Sequence, residues 1–375
     1  MIHQGALAPG VRIADLRIEA CIAASPLGFE YLARADGDGA PCRLLEYLPA
    51  GLAERRGLQV SVRSGAAAVF DVGRRAFQLD ADRFSLRRDD ALAVVQRLLV
   101  EHGTAYLQMP WHDGPTLADE YRAGREAEPD DVRRWLVSLG RALGRLHRGG
   151  MVHGAVSAVR VRRRADGRVV LGAPESARWA LAASLPGLID ATDPSLAPEQ
   201  LLDPIQRARA LGPWTDVYGL ATIAHLAIAG ELPPPAHDWR SALARPSLAR
   251  FAGERWSAAM LVAIDRALSP DPASRPRTMD DFLAAMGLLE RQAPPRAEAT
   301  EASAPPAVPE QAPRATPTQS WHGSSPRWRW AVALLFSALA ALAIWAALRP
   351  GAAAARGDVQ RPSEMPVSEA VRNSG

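Results

Sequence analysis

The chain of 375 residues contains no lysine: all 44 basic residues are arginine. It has one asparagine, Asn373, and two cysteines, Cys21 and Cys42. A mechanism that needs a lysine, or an asparagine inside a folded region, is therefore excluded. Two cysteines make neither a metal cluster nor a disulfide framework, which suits a reducing cytosol. Net charge is only +3, with 41 acidic residues offsetting the arginines, so no global basic surplus points to nucleic acid. Residues 1–20 hold no apolar core of about 7–15 residues, and no secretory signal peptide is expected.

Hydrophobic residues make up 48% of the chain, enough for a sizeable core, and the length suggests roughly two or three domains. The densest information lies in residues 130–171. Val132, Trp135, Leu136, Leu139, Leu143 and Leu146 recur at helical spacing, and Gly149-Gly150 ends the run. Val156, Val159 and Val161 are β-branched, Asp166-Gly167 is a hairpin turn signal, and Val169, Val170 and Leu171 read as a second strand. Upstream, residues 11–49 read as three strands with a turn at Asp36-Gly37-Asp38-Gly39. Residues 55–107 suggest strands over 58–62 and 67–72 and a helix around 89–100.

After Leu289 the composition changes. Residues 291–327 are rich in Pro, Ala, Glu, Ser and Thr without apolar periodicity, which reads as an extended linker. Residues 330–348 form an uncharged apolar run of 19 residues, about 28 Å long as a helix and close to the hydrocarbon thickness of a bilayer. Trp328, Trp330 and Trp345 sit near its ends, as interfacial anchors do. Ser337, Ala338, Ala341 and Ala347 are small enough for close helix packing, which is compatible with a homodimer.

"LHRGGMVHGAVSAVRV" resembles the protein kinase catalytic loop, "LHxxGIVHRDLKPxNI", and "DGRVVL" resembles the strand leading to the DFG metal loop. "GFEYLA" and "EYLPAGLAERRG" are similar to the first strands of bacterial Ser/Thr kinases, and "HGTAYLQMPWHDGPTLADEY" to the hinge. Ala197-Pro198-Glu199 matches the APE motif, and "WTDVYGLATIAHLAIAGELPP" and "LSPDPASRPRTMDDFLAAM" match the two late helices. These motifs run in family order over about 290 residues, so chance agreement is excluded as an explanation although each alone is weak. The resemblance implies an α+β, two-lobed kinase-like fold, with a β-rich N-lobe over residues 1–107 and a helical C-lobe over 108–290. A linker (291–327), one transmembrane helix (328–348) and a short extracytoplasmic tail (349–375) complete the expected chain.

The structural positions match and the reactive ones do not. By resemblance, the nucleotide-contacting lysine falls on Leu45, the catalytic Asp on Ala155, the loop lysine on Ser157 and the metal-binding Asn on Arg160. The DFG triplet falls on Ala173-Pro174-Glu175 or, one residue earlier, on Gly172-Ala173-Pro174; neither frame puts an Asp at the metal position. Gly28 alone survives of the glycine-rich turn, where Pro26 removes an N–H and Leu27 adds bulk. Phosphoryl transfer needs a carboxylate for the acceptor hydroxyl and oxygen ligands for Mg²⁺, and this set supplies neither. The acidic partner on the αC-like helix is Asp89, Asp90 or Glu101. Arg160, Arg162, Arg163 and Arg164 read as a solvated hairpin edge. His112 reads as a loop residue, with nothing nearby to complete a metal set. His153, Glu199, Asp216 and Arg275 fill scaffold positions, with a Glu199–Arg275 ion pair expected.

The expectation is thus a pseudokinase anchored in the bacterial inner membrane, its lobes in the cytoplasm, binding a protein partner: an active kinase, its substrate or an envelope or secretion machine component. No cofactor or metal is expected, while metal-independent ATP binding stays open. The alternatives are an atypical kinase or nucleotidyl transferase with displaced groups such as Glu175, and a structural membrane component in which the lobes act as a spacer.

Overall fold

The structure, a computed structural model, describes residues 5–85, 89–236 and 247–289. Six antiparallel strands form the main sheet: β1 (Arg12–Ile13), β2 (Leu16–Ser25), β3 (Gly28–Ala35), β4 (Pro41–Tyr47), β7 (Arg97–Glu101) and β8 (Thr104–Pro110), in the order β1-β2-β3-β4-β8-β7. Their inward residues, among them Ile13, Leu16, Ile18, Tyr31, Leu44, Leu99 and Tyr106, form a buried cluster. The sheet curls until its two edges meet. Arg97 Nη1 lies 2.8 Å from Asp15 Oδ1, and Ala14 N donates to Glu101 Oε2 at 3.1 Å. A separate hairpin, β5 (Ala53–Arg56) with β6 (Gln59–Val62), sends Arg55 into the lobe, where it pairs with the buried carboxylate of Glu46; Tyr31 Oη donates to the same carboxylate at 2.7 Å.

Two expectations between residues 55 and 107 are corrected. Residues 67–72, expected as a strand, open helix α1 (Ala67–Ser85). The β-branched Val69 and Val72 suggested a strand, but Phe70, Gly73, Phe77, Ala81 and Phe84 recur at helical spacing, and that stripe is what the lobe covers. Residues 89–100, expected as a helix, end instead in β7, which pairs with β8 across His102-Gly103. Both turn residues have positive φ, 54° and 81°, as a two-residue hairpin requires. Consequently Asp89, Asp90 and Glu101 are not on the helix that faces the cleft. Asp89 pairs with Arg145, Asp90 lies 3.1 Å from Arg168, and Glu101 accepts from Ala14.

The second lobe is helical. Helix α2 (Leu117–Arg122) is closed by a capping box between Thr116 and Asp119. Helix α3 (Pro129–Arg148) starts with Pro129, Asp130 and Asp131 and ends with Arg145, His147 and Arg148, an order that complements the helix dipole. The hairpin β9 (Val161–Arg163) and β10 (Val169–Leu171) follows, then α4 (Ser176–Leu181) and α5 (Pro204–Ala210). Helix α6 (Pro213–Ala229) is buried on nearly every side, as its almost continuous apolar sequence demands, and Gly230 ends it at φ 76°. Helices α7 (Ala258–Ala267) and α8 (Met279–Ala285) pack beside it. All described residues fall in one compact unit, residues 1–297. The linker, the apolar run at 330–348 and the tail lie outside the described residues, and among the described residues no helix is long and apolar enough to cross a membrane.

Glu199 and Arg275 meet as a fully buried, two-pronged ion pair, with N–O distances of 2.8 and 3.0 Å. Thr215 Oγ1 donates to the same Glu199, while Arg275 Nε donates to Ser269 O at 2.7 Å and its guanidinium stacks on Tyr218. Removing one partner leaves the other charge buried alone, so Arg275→Ala is expected to cost about 3–5 kcal/mol. Glu199→Leu combined with Arg275→Met should cost far less. Urea unfolding of residues 1–297 checks this, and a single-variant loss below about 1 kcal/mol would contradict it.

Candidate functional site

The cleft between the sheet and the helical lobe is roofed by the β2–β3 turn. Pro26 and Leu27 form this turn, and their carbonyls accept from Ala50 N at 3.2 Å and Leu48 N at 2.7 Å. Leu27 N donates to Ser25 Oγ at 3.2 Å. The turn is therefore tied down on the chain that follows β4, and its amide is consumed internally. Gly28 is explained by the same closeness: at φ 143°, a Cβ would stand 2.0 Å from Glu46 O. This glycine admits a neighbouring strand, and the turn around it presents no phosphate cradle.

Leu45 on β4 stands opposite Leu107 on β8 and Glu30 on β3. With Phe77, Ala173 and Pro174 it lines a cavity of about 140 Å³. That is well below the roughly 300–1,000 Å³ of a pocket for a nucleotide-sized ligand.

The loop of residues 151–160 has its shape fixed by a buried carboxylate. Asp216, in the first turn of α6 and 1% exposed, accepts from His153 N at 2.8 Å, Gly154 N at 2.7 Å and His147 Nε2 at 2.8 Å. His153 lies against Gly172 O through Nε2 at 2.9 Å, and Ala155 N donates to its Nδ1 at 3.3 Å. This pattern assigns a neutral imidazole protonated on Nε2, and burial pushes its pKa below the usual range. Ala155 opens onto a void of about 20 Å³, room for about one water, beneath Arg178 and Trp179 of α4.

On either side of the β9–β10 hairpin, two side chains hold each other. Arg160 forms an ion pair with Glu175, and its Nη1 donates to Ala173 O at 3.3 Å. Glu175 also receives Arg178 at 3.2 Å. The chain then turns at once into α4, which packs on α1 through Phe70, Ala177 and Leu181. Gly73 permits that contact, since a Cβ there would stand 2.2 Å from Tyr47 Oη and 2.7 Å from Leu181.

Sequence reasoning missed two groups here. Asp80, buried on α1, accepts from Ser176 N at 3.1 Å and from Ser176 Oγ, so it caps the start of α4. The available signal was a carboxylate within the apolar stripe of a helix. Arg163 is a correction: it is not a solvated edge but is buried, with Nε 2.8 Å from Glu120 and Nη2 2.9 Å from Asp131. Strand alternation turns it inward toward α2 and α3 while Arg162 faces the other way. A magnesium–nucleotide complex does not fit these residues. Leu45 offers no charge, Ala155 and Ala173 offer no side-chain oxygen ligand, and the carboxylate of Glu175 is engaged by Arg160 and Arg178.

No family model and no curated protein matches the chain. Among solved structures, the apo form of PpkA-294, a fragment of a bacterial Ser/Thr kinase, aligns over 76% of this chain and 100% of its own length. The TM-score is 0.66 and the identity 25%. The fold is kinase-like. As 1992 solved chains match, this likeness identifies a widely shared architecture and leaves activity to the site.

Burial pushes the Asp80 carboxyl up to about 6 from its ordinary value of 3.8. The unfolded chain thus releases this proton first, and the contribution of Asp80 to stability falls as pH rises from 3.8 through about 6. Asp80→Asn should remove that slope, gaining on the parent protein across the same window. Urea unfolding at a series of pH values measures the difference, and a gap that stays constant with pH would refute it.

Proposed function

We propose that this chain is a pseudokinase: a kinase-like fold that binds a protein partner and does not transfer phosphate. The observation that carries the reading is the Arg160–Glu175 ion pair, set where Mg²⁺ ligands would be needed, together with Ala155 and Ala173 at positions that require carboxylates. The pinned β2–β3 turn and the small cavity support it from the nucleotide side. Helix α4 supports it from the acceptor side, because Arg178 and Trp179 line the same small void as Ala155. An enzymatic reading would route a metal through Glu175, and that carboxylate is already engaged by two arginines. The scaffold serves at the bacterial inner membrane, a placement supported by the apolar run at residues 330–348 and its flanking tryptophans. Its partner is an active kinase, a kinase substrate or a component of an envelope machine.

The deciding experiment is calorimetry of ATP against residues 1–297, with and without Mg²⁺, alongside transfer of γ- or α-phosphate label to the chain or to a captured partner. The expected outcome is no Mg²⁺-strengthened binding and no transfer of either label. Mg²⁺-dependent binding with label transfer would replace this reading with the enzymatic one.

A further inference from the structure

The mouth of the cleft carries cations that the reading above leaves unused. Strand register sets Arg43 on β4 opposite Met109, with Cys42 opposite Pro110, so Arg43 stands beside the 110–116 segment that joins the lobes. From the other lobe, Arg162 on β9 bridges to Thr116 and donates through Nη1 to Gly114 O at 3.1 Å. His112 lies half-buried in the same segment. Burial holds its pKa below the usual range, and Arg164, Arg43 and Arg162 are near enough to add to that effect.

Acidic compensation at this mouth is thin. The Arg43 side chain is only 14% exposed; its nearest carboxylate, Glu30, is 3.6 Å away, and its Nη2 is buried with no hydrogen-bond partner among the described residues. Arg162 is half-buried, and its side chain is held by the Gly114 carbonyl with no ion pair among the described residues. Arg164 pairs with Asp166 at 3.4 Å, and Arg160 is taken by Glu175. Asp113, the other acid near His112, is exposed. Like charges grouped where water is partly excluded are costly unless an anion answers them.

We propose that Arg43, Arg162 and His112 form an anion site at the cleft mouth that takes a phosphate group, free or as a monoester. Two planar guanidinium forks suit phosphate oxygens, and an imidazole N–H adds a third donor. The site lies on the side of the lobe-joining segment and needs no metal, because the arginines supply the positive charge. It rests on the proposed loss of magnesium–nucleotide chemistry and names the chemistry through which a binding module would recognise its ligand.

The test uses the full chain in detergent micelles with EDTA present, followed by thermal shift and calorimetry. The titrants are inorganic phosphate, ATP, and a phosphoserine peptide beside its unphosphorylated twin. Phosphate and at least one of the esters should bind and raise the melting temperature, less so at high salt. Arg43→Gln and Arg162→Gln should each weaken binding by roughly tenfold or more. Arg43→Lys keeps the charge without the fork and should fall between, which guards against a folding defect in the glutamine variant. Arg141→Gln, on the exposed face of α3, should bind as the parent does. Tighter binding of the phosphopeptide than of inorganic phosphate would assign a protein source, and equal binding a small-molecule one. The proposal is overturned if no titrant binds, or if Arg43→Gln and Arg162→Gln both leave binding unchanged. Adding Mg²⁺ separates the two readings: metal-strengthened ATP binding would count against the pseudokinase, while phosphate binding in EDTA would stand.

Discussion

Asp216 is the group on which the helical lobe is hung. Its carboxylate is almost fully buried, and that is tolerable because two backbone N–H groups and His147 point at it and it sits in the first turn of α6. Once those donors are spent on Asp216, the 151–160 loop has little freedom left. His153 is turned toward Gly172, which ties the loop to the end of β10, and Gln200 Nε2 adds a bond to Gly154 O at 2.9 Å. Even the packing of α6 follows, since a Cβ on Gly219 would stand 2.5 Å from Val156 O. The loop keeps its shape for reasons independent of any reaction.

The side chains that follow this loop are themselves cohesive. Arg160 and Arg178 share the carboxylate of Glu175 at the centre, and Asp80 reaches across from α1 to start α4 immediately afterwards. Each contact draws the segment after β10 inward, against the sheet lobe above and the 151–160 loop below. An ion pair of this kind is weak evidence for stability, because desolvation offsets much of the attraction. Its consequence is positional. It holds α4 against α1, where Ala177 and Leu181 pack on Phe70.

The parts of this architecture legible in the sequence were those with strict local rules. The stripe of Val132, Trp135, Leu136, Leu139 and Leu143, and the Asp166-Gly167 turn, each describe one element, and the structure puts each where the pattern places it. Failures came where two rules competed. Val69 and Val72 suggested a strand although the stripe through Phe70, Phe77 and Phe84 is helical, and His102 is an unusual first residue for a tight hairpin turn. The role of Asp80 could not be read locally because its partner, Ser176, is 96 residues away. Arg163 was misjudged for a similar reason: its charge suggested water, and the two carboxylates that bury it come from α2 and α3. Sequence pattern reports periodicity well and says little about which distant charge will meet another.

The absence of lysine makes the buried arginines informative. An arginine stays charged when buried, so each one needs acceptors rather than a shifted proton. Arg275 has both oxygens of Glu199, three carbonyls and an aromatic face; Arg163 has two carboxylates; Arg55 has Glu46 and two carbonyls. Arg207 donates to Trp179 O and lies 5.1 Å from the centre of that indole ring. These contacts accompany the burial of all four, although one nitrogen of Arg163 makes no hydrogen bond among the described residues. Arg43 has one carboxylate at 3.6 Å and a buried nitrogen without a hydrogen bond among the described residues, a shortfall that one nitrogen of Arg163 shares.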